Sequence, residues 1–342
     1  MEPGGWRFGR RLPAGAAVLL AVLMAACGGT AAGNASTSQS SKPITHVNFG
    51  LNVPTDFDLV LPQYVARDRG FFTQQGLDVT TSSFQGGADA VKAMVAGSLD
   101  LDAATGLDAP AAVAKGASLR EFAGGGVSTS TFRLVATNSS GIKALKDLKG
   151  KKIGITRFGS LTDYVARVEG QKAGLKAGTD FTEIPIGASA MQAALENGQI
   201  DATNANPVDA IPLLAGGKVH SVTDFSKVDP NTQFTALVAT PTYLNQHPGT
   251  VRSFLKAYFQ AIKYLQAHRT YGIQATTKAL HVDSGLAAQL YDQLAKAMNT
   301  DGSMNLAGVK AYAQALPDLG IAPNVPSLND YYTNKFIPVK TT

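Results

Sequence analysis

An α/β fold built as two similar halves, the second inserted within the first, is predicted by three observations. Strand-like and helix-like segments alternate along residues 43 to 340, the pattern of mainly parallel sheets with helical connections. The alternation restarts near residue 141, with a fresh strand at "KKIGITRF". One unit is also written twice. Shifted by 101 residues, Gly86 falls on Gly187, Ala93 on Ala194, Gly97 on Gly198, Asp100 on Asp201, Ala104 on Ala205, Asp108 on Asp209 and Ala109 on Ala210, seven identities over 24 positions without a gap.

"HVNFGLNV" opens the body as a strand rich in β-formers. "LPQYVARDRG" reads as a helix, with Pro62 near its first turn and Gly70 as its stop. A second strand follows within "GFFTQQGLDVTTSSF", then helix "GGADAVKAMVAG", strand "SLDLDAAT", helix "DAPAAVAKG" and strand "SLREFAGG". After the restart come helix "SLTDYVARVEGQKAG", strand "FTEIPIG", the repeated unit, helix "PVDAIPLLAGG" and strand "VHSVTDF". "FTALVAT" carries the chain back. In "TVRSFLKAYFQAIKYLQAH", Val251, Phe254, Leu255, Tyr258, Phe259, Ile262 and Leu265 share one helical face and read as core packing. Helices around 285 to 299 and 306 to 315 finish the first half, and the extended "FIPVK" lies near the C-terminus.

Residues 1 to 26 are set aside as a signal peptide. Arg7, Arg10 and Arg11 form a positive region, and "LPAGAAVLLAVLMAA" is too short for a comfortable membrane span. The Arg10-Arg11 pair admits a twin-arginine route as well as the general one. Leu23-Met24-Ala25-Ala26-Cys27 resembles the bacterial lipobox, in which the cysteine takes a diacylglycerol thioether and becomes the mature N-terminus. Cys27 is the chain's single cysteine. Residues 27 to 42 are small and polar, a flexible tether that spans roughly 20 Å as a coil.

The remaining body is large enough for two ordinary domains. The formal charge of the whole chain is +5, and loss of the leader's three Arg and one Glu leaves +3, too mild to imply nucleic acid. Lys143, Lys146, Lys149, Lys151 and Lys152 form the one basic run, read as a solvated turn.

"YVARDRGFFTQQGLDV", "GGADAVKAMVAGSLDLDAATGLDAP", "IKALKDLKGKKIGI" and "MQAALENGQIDA", in that order, resemble the solute-binding proteins of ABC importers. The closest group is the nitrate/sulfonate/taurine and thiamine-precursor (SsuA/THI5-like) binding family. The resemblance covers residues 43 to 340. It implies a two-lobed periplasmic-binding-protein fold (type II) with hinge strands and the ligand cleft between the lobes. Residues 43–136 and 236–342 would form lobe 1 and 137–235 lobe 2. It further implies a monomer outside the cell membrane that delivers a small solute to permease and ATPase subunits on separate chains. No phosphate-cradling Walker sequence and no transmembrane bundle occurs here.

Spacing and resemblance together nominate five places for the cleft. The loop after the first strand offers Asn52, Thr55, Asp56 and Phe57. The first repeated unit offers Gly86, Gly87 and Ala88 at a helix start, and Thr105 and Gly106 after its strand. Ser128 and Thr129 bring hydroxyls. In the second half, Arg157, Phe158, Gly159, Ser160 and Thr162 stand at a strand-to-helix turn, and the second repeated unit brings Asn204 and Asn206. Helix starts carry unpaired N–H groups and the positive end of the dipole, so Gly86-Gly87 and Gly159-Ser160 suit an anion. Arg157 has two readings, a forked donor for an acidic head group or a surface ion pair. Asp56 either accepts from a ligand amine or ring N–H or caps the following helix. Phe57, Phe84 and Phe158 face a flat ligand or fill core. Asp100 and Asp201 are read as serving strand-loop geometry.

The leading ligand class is a small organic anion of the sulfonate, taurine or nitrate kind, with a pyrimidine thiamine precursor as the alternative. An enzyme is the rival class, because synthases occur in the pyrimidine branch of the same family. Against it, Cys27 is spent on the anchor, and His46, His220, His247, His268 and His281 lack metal-ligand spacing. Ser140 and Lys143 match S-x-x-K without the partner motifs. No cofactor, metal or catalytic residue is expected. A sensory lipoprotein is the third reading.

Overall fold

The computed structural model describes residues 44–52, 54–84, 87–126 and 131–341. The expected leader, Cys27 and the expected tether lie outside the described residues, as do Gly86, Ser128 and Thr129. Two five-stranded sheets organise the body. The first holds β1 (Thr45–Leu51), β2 (Leu77–Ser83), β3 (Leu101–Thr105), β4 (Arg120–Gly124) and the late strand β10 (Thr235–Ala239). The second holds β5 (Arg133–Thr137), β6 (Lys152–Ile155), β7 (Thr182–Pro185), β8 (Ala202–Ala205) and β9 (Val219–Asp224). The helices connecting the early strands are α1 (Phe57–Asp68), α2 (Phe71–Gln74), α3 (Gly87–Val95) and α4 (Asp108–Ala114). Those around the second sheet are α5 (Leu161–Lys172), α6 (Met191–Glu196), α7 (Pro207–Ala215) and α8 (Phe225–Val228). The chain finishes through α9 (Pro241–Gln246), α10 (Pro248–Ala267), α11 (Arg269–Leu280), α12 (Ser284–Leu294), α13 (Leu306–Ala315) and α14 (Leu328–Tyr331).

The two sheets have the same plan. Their strand orders are β2-β1-β3-β10-β4 and β7-β6-β8-β5-β9. In each, the first three strands are parallel and the fourth runs antiparallel to both neighbours. The expectation of mainly parallel sheets therefore needs a correction. β5 and β10 are the strands on which the chain passes into a new sheet, and each enters against the direction of its neighbours. The division expected after residue 136 cuts through β5, which pairs wholly with β8 and β9. The change of sheet lies between Gly124 and Arg133.

The repeat occupies equivalent places, with β3 and β8 central in their sheets. Gly97 and Gly198 end the preceding helical segments at φ 76° and 67°, a conformation that a Cβ disfavours. Asp100 Oδ2 then accepts the Asn48 N–H at 2.7 Å, and Asp201 Oδ2 accepts that of Lys152 at 2.8 Å. In both halves the aspartate fastens the central strand to the one beside it.

Packing follows the apolar pattern. Val251, Phe254, Leu255, Tyr258, Phe259, Ile262 and Leu265 of α10 are all fully buried in the core behind the first sheet. Each such side chain contributes about 1.5–3 kcal/mol by leaving water. α1 begins at Phe57, four residues before the expected start, so Pro62 lies inside the helix and removes one helical bond. A separate apolar cluster joins the halves: Leu107 and Tyr312 from the first meet Tyr164 and Phe225 from the second, with Tyr164 and Tyr312 ring centroids 4.7 Å apart.

Candidate functional site

The ends of β1 and β3 build one wall. Asn52 follows β1, is 2% exposed, and donates its backbone N–H to Ala103 O at 3.2 Å. Its Nδ2 donates to Asp108 Oδ2 at 3.2 Å, and Thr105 adds N–H and Oγ1–H donors to the same oxygen at 2.9 and 2.8 Å. Asp108, in the first turn of α4, packs its other oxygen against Gly87, where any Cβ would collide with it. Gly106 is equally closed, pressed by Gln233 O and Tyr312. Ala88 and Thr55 are exposed, and Phe57 is fully buried core.

Asp56 is the N-cap residue of α1 without a side-chain cap bond, and it is buried. Burial raises its carboxyl well above the ordinary range. Asp58 adds to this by charge and by a shared hydrogen bond, and Asp209 adds further charge. Asp209 belongs to α7 of the second half, so a charge from that half acts on a buried carboxyl of the first. Its own pKa is raised by burial, against the opposing bond from Asn206. The adjacent Val208 packs on the core cluster that contains Phe57, which holds α7 against the first half.

The β6–α5 turn holds the candidates of the second half. Thr156, Ser160 and Thr162 join their hydroxyls at 2.9–3.0 Å, and Thr162 Oγ1 also accepts the Thr156 N–H. Ser160 caps α5 by accepting the Asp163 N–H. Asp163 accepts the Gly159 N–H at 2.6 Å on one oxygen and Arg167 Nε at 2.6 Å on the other. Arg167 continues to Glu183 at 2.8 Å. Glu183 is pushed up to about 8, by burial first and Asp163 next, while Arg167 opposes the shift. Arg157 is exposed, as is Phe158 at 58%.

Asn206 caps α7 through its Oδ1, which accepts the Asp209 N–H at 3.1 Å. Asn204 points elsewhere: its Nδ2 donates to Glu169 Oε2 at 2.8 Å, underneath α5. Asn204 lies within β8 and faces α5, whereas Asn206 lies past the strand's end as the N-cap of α7. Glu169 is pushed up to about 8 by burial, partly opposed by that bond.

Asn52, Thr105 and Gly87 are thus gathered round Asp108 in the first half, and Gly159, Ser160 and Thr162 round Thr156 and Asp163 in the second, with Asn206 at the start of α7. Beside the nominated residues stand Asp58, Asp108, Thr156, Asp163 and Asp209, which the motif reading did not nominate. For two of them a signal existed, since Asp108 and Asp209 are partners in the repeat. At the α5 start the Gly159 N–H is taken by Asp163, while Asp108 lies against the side of Gly87 where a Cβ would stand. Among the described residues no group of three or more His, Cys, Asp or Glu side chains is placed to hold a metal ion. Among them, too, no helix is long and apolar enough to cross a membrane.

The family model described as NMT1/THI5 like matches residues 59–270. The chain belongs to that family. Among NMT1/THI5-like relatives, a Bacillus subtilis (strain 168) protein named for binding aliphatic sulfonates is 27% identical over 264 residues, 74% of each chain. A 4-amino-5-hydroxymethyl-2-methylpyrimidine phosphate synthase of Schizosaccharomyces pombe is 26% identical over 217 residues, covering 59% of this chain and 60% of that one. In fold, the chain matches the periplasmic aliphatic sulphonate binding protein SsuA of Escherichia coli with a TM-score of 0.73 at 18% identity, covering 83% of this chain and 91% of that one. The architecture is therefore the periplasmic-binding-protein fold.

Proposed function

We propose that this chain is the extracytoplasmic receptor of an ABC import system, anchored by lipid on Cys27, that captures a small organic solute between two lobes. The lobes are the two sheets with their helices, hinged where the chain passes from β4 to β5 and from β9 to β10. The observation that carries the reading is the doubled wall. One strand-loop-helix unit stands at the end of the central strand of each sheet, and the charge of Asp209 in one half acts on the buried Asp56 of the other. A solute that touches both walls favours the closed arrangement, because only that arrangement offers both sets of contacts. Permease and ATPase are then separate polypeptides, and the receptor works as a monomer.

Binding without turnover is the preferred reading because the polar groups of the walls are engaged in caps and strand-end bonds. The sulfonate relatives favour an anionic solute. The acceptor-rich walls favour the alternative, a donor-bearing solute of the pyrimidine-precursor kind. The test is a thermal-shift screen over sulfonates, taurine, nitrate and aminopyrimidines, followed by small-angle scattering with each hit. A solute at a hundredfold excess over its Kd adds about 2.7 kcal/mol and contracts the particle. Hits that stabilise without any contraction would overturn closure, and catalytic conversion of a hit by the isolated protein would overturn the binding role.

A further inference from the structure

We propose that the end of the first half where the chain enters β1 rests on an anionic phospholipid bilayer, through Arg67, Arg69, Tyr264, His268 and Tyr271. The inference rests on the lipid anchor of the receptor reading and concerns which face of the body that anchor brings down.

The face is built where α1 and α10 end and α11 begins. Arg69 is the C-cap of α1, Tyr264 and the C-cap His268 close α10, and Tyr271 lies in the first turn of α11. Arg69 lies across both tyrosines, its guanidinium carbon 4.9 Å from the Tyr264 ring centre and 5.5 Å from that of Tyr271. The two rings meet edge to face at 5.3 Å, and His268 stacks on Tyr264 at 3.9 Å. Arg67 lies over Tyr64 at 5.9 Å. The three tyrosines are half-buried, while Arg67, Arg69 and His268 are exposed. Among the described residues no ion pair joins Arg67 or Arg69 to an acid. The neighbouring Asp68 accepts the Tyr271 hydroxyl at 2.6 Å.

This chemistry fits a head-group layer. A tyrosine has an apolar body and a polar tip, and arginine carries its charge on an apolar stem, so both suit the boundary between hydrocarbon and water. The ring faces leave the forked N–H donors of each guanidinium open to a phosphate, which they match in geometry.

The position of the face selects the bilayer as its partner. Thr45, the first residue of β1, donates to Gly76 O at 2.9 Å, and the Gly76 N–H goes to Thr73 O at 2.9 Å. Thr73 belongs to α2, which starts at Phe71, and the Phe71 ring packs on Tyr264 at 5.7 Å. The entry of the chain and the aromatic cluster are therefore joined through one short helix. Ile44, just ahead of β1, is a large apolar side chain that is 61% exposed. The tether expected from Cys27 to Lys42 spans roughly 20 Å as a coil, which keeps this end within reach of head groups. β1 then carries the chain about 20 Å away, at ~3.3 Å per residue, to the wall at Asn52. Docking of this kind holds the cleft off the membrane.

The experiment anchors the full chain in vesicles that contain a head-group-bound collisional quencher. Thr73→Cys carries a fluorophore on α2, and Ser139→Cys, beyond the end of β5, carries it in the control. Once Cys27 bears lipid, the added thiol is the one free thiol in the chain. Vesicles containing phosphatidylglycerol should quench the Thr73 label and leave the Ser139 label bright. Pure phosphatidylcholine, or salt at about 1 M, where screening falls to about 3 Å, should release it. Arg67→Gln with Arg69→Gln should lower the docked-to-free ratio about 25-fold, at about fivefold per guanidinium, with circular dichroism and Tm as in the wild type. Equal quenching of both labels, no quenching of either, or quenching that survives the double Gln variant would each overturn the docking while the anchor stands. A Thr73 label shielded in native membranes but not in lipid vesicles would assign the face to a protein and overturn it as well. Failure of the chain to float with vesicles, or two reactive thiols in Thr73→Cys, would remove the anchored-receptor reading itself.

Discussion

Replacing Glu169 by Gln should make the protein more stable at neutral pH, an unusual outcome for a fully buried hydrogen-bonded residue. Glu169 lies on α5 with no exposure, accepts one bond from Asn204, and is pushed from 4.5 to about 8 by burial. The folded chain thus holds this proton more tightly than the unfolded chain does. The stabilisation from holding it is complete below pH 4.5 and drains away as pH rises towards 8. By pH 7 the unfolded state has gained about 2.5 units of ionisation that the folded state forgoes, about 3 kcal/mol at ~1.4 kcal/mol per unit. Glutamine cannot ionise, keeps an acceptor for Asn204 Nδ2, and adds an N–H for Asn204 Oδ1, which has no partner among the described residues. Glu169→Gln should therefore gain up to about 3 kcal/mol at pH 7 and less than about 1 kcal/mol at pH 5. Urea unfolding followed by circular dichroism at the two pH values measures this; the chain's one tryptophan, Trp6, lies outside the described residues. Parallel loss of stability by both proteins from pH 5 to 7 would show that Glu169 is already ionised in the fold, and the reasoning would fail.

Asp100→Ala and Asp201→Ala should each cost about 1 kcal/mol, the worth of an exposed charge-assisted bond, and should add in the double variant because they act on different sheets; urea unfolding of the three variants checks this. Ser160→Ala should cost about 1 kcal/mol by uncapping α5, read as a lower urea midpoint with an unchanged slope. Gly272→Ala should destabilise by about 1–3 kcal/mol, read as a lower Tm. Its new methyl would run into the Tyr291 ring, whose hydroxyl is tied to Leu265 O at 2.6 Å, and this outweighs alanine's better helix propensity.

Periodicity made α10 legible, because a seven-residue apolar stripe has only one way to be buried. The repeat made the equivalence of the central strands legible, since Gly97 with Gly198 and Asp100 with Asp201 do local work that shows in spacing. β5 was not legible. "RLVAT" becomes a strand by pairing with β8 and β9, which are distant in the chain. α11 was missed because its apolar pattern is weak; only Gly272, Ala275 and Thr276 are buried along it. What the helix starts touch was not legible for a related reason. Gly-Ser before a helix looks open to a ligand, yet Asp163, a few residues on, folds back onto the Gly159 N–H. Asp108 reaches Gly87 only because the fold sets α4 against α3. Asn204 and Asn206 differ by two positions and part company, one beneath α5 and the other on α7.

The apolar cluster that contains Leu107, Tyr312, Tyr164 and Phe225 has a consequence for how the molecule melts. Two domains linked only by peptide would be free to lose structure one after the other. Here neither sheet can unravel without baring rings that the other half covers. Heat should therefore dissolve both halves in one cooperative transition, with calorimetric and van't Hoff enthalpies agreeing. Tyr164→Ala, by hollowing out that shared seam, should split the single endotherm into two.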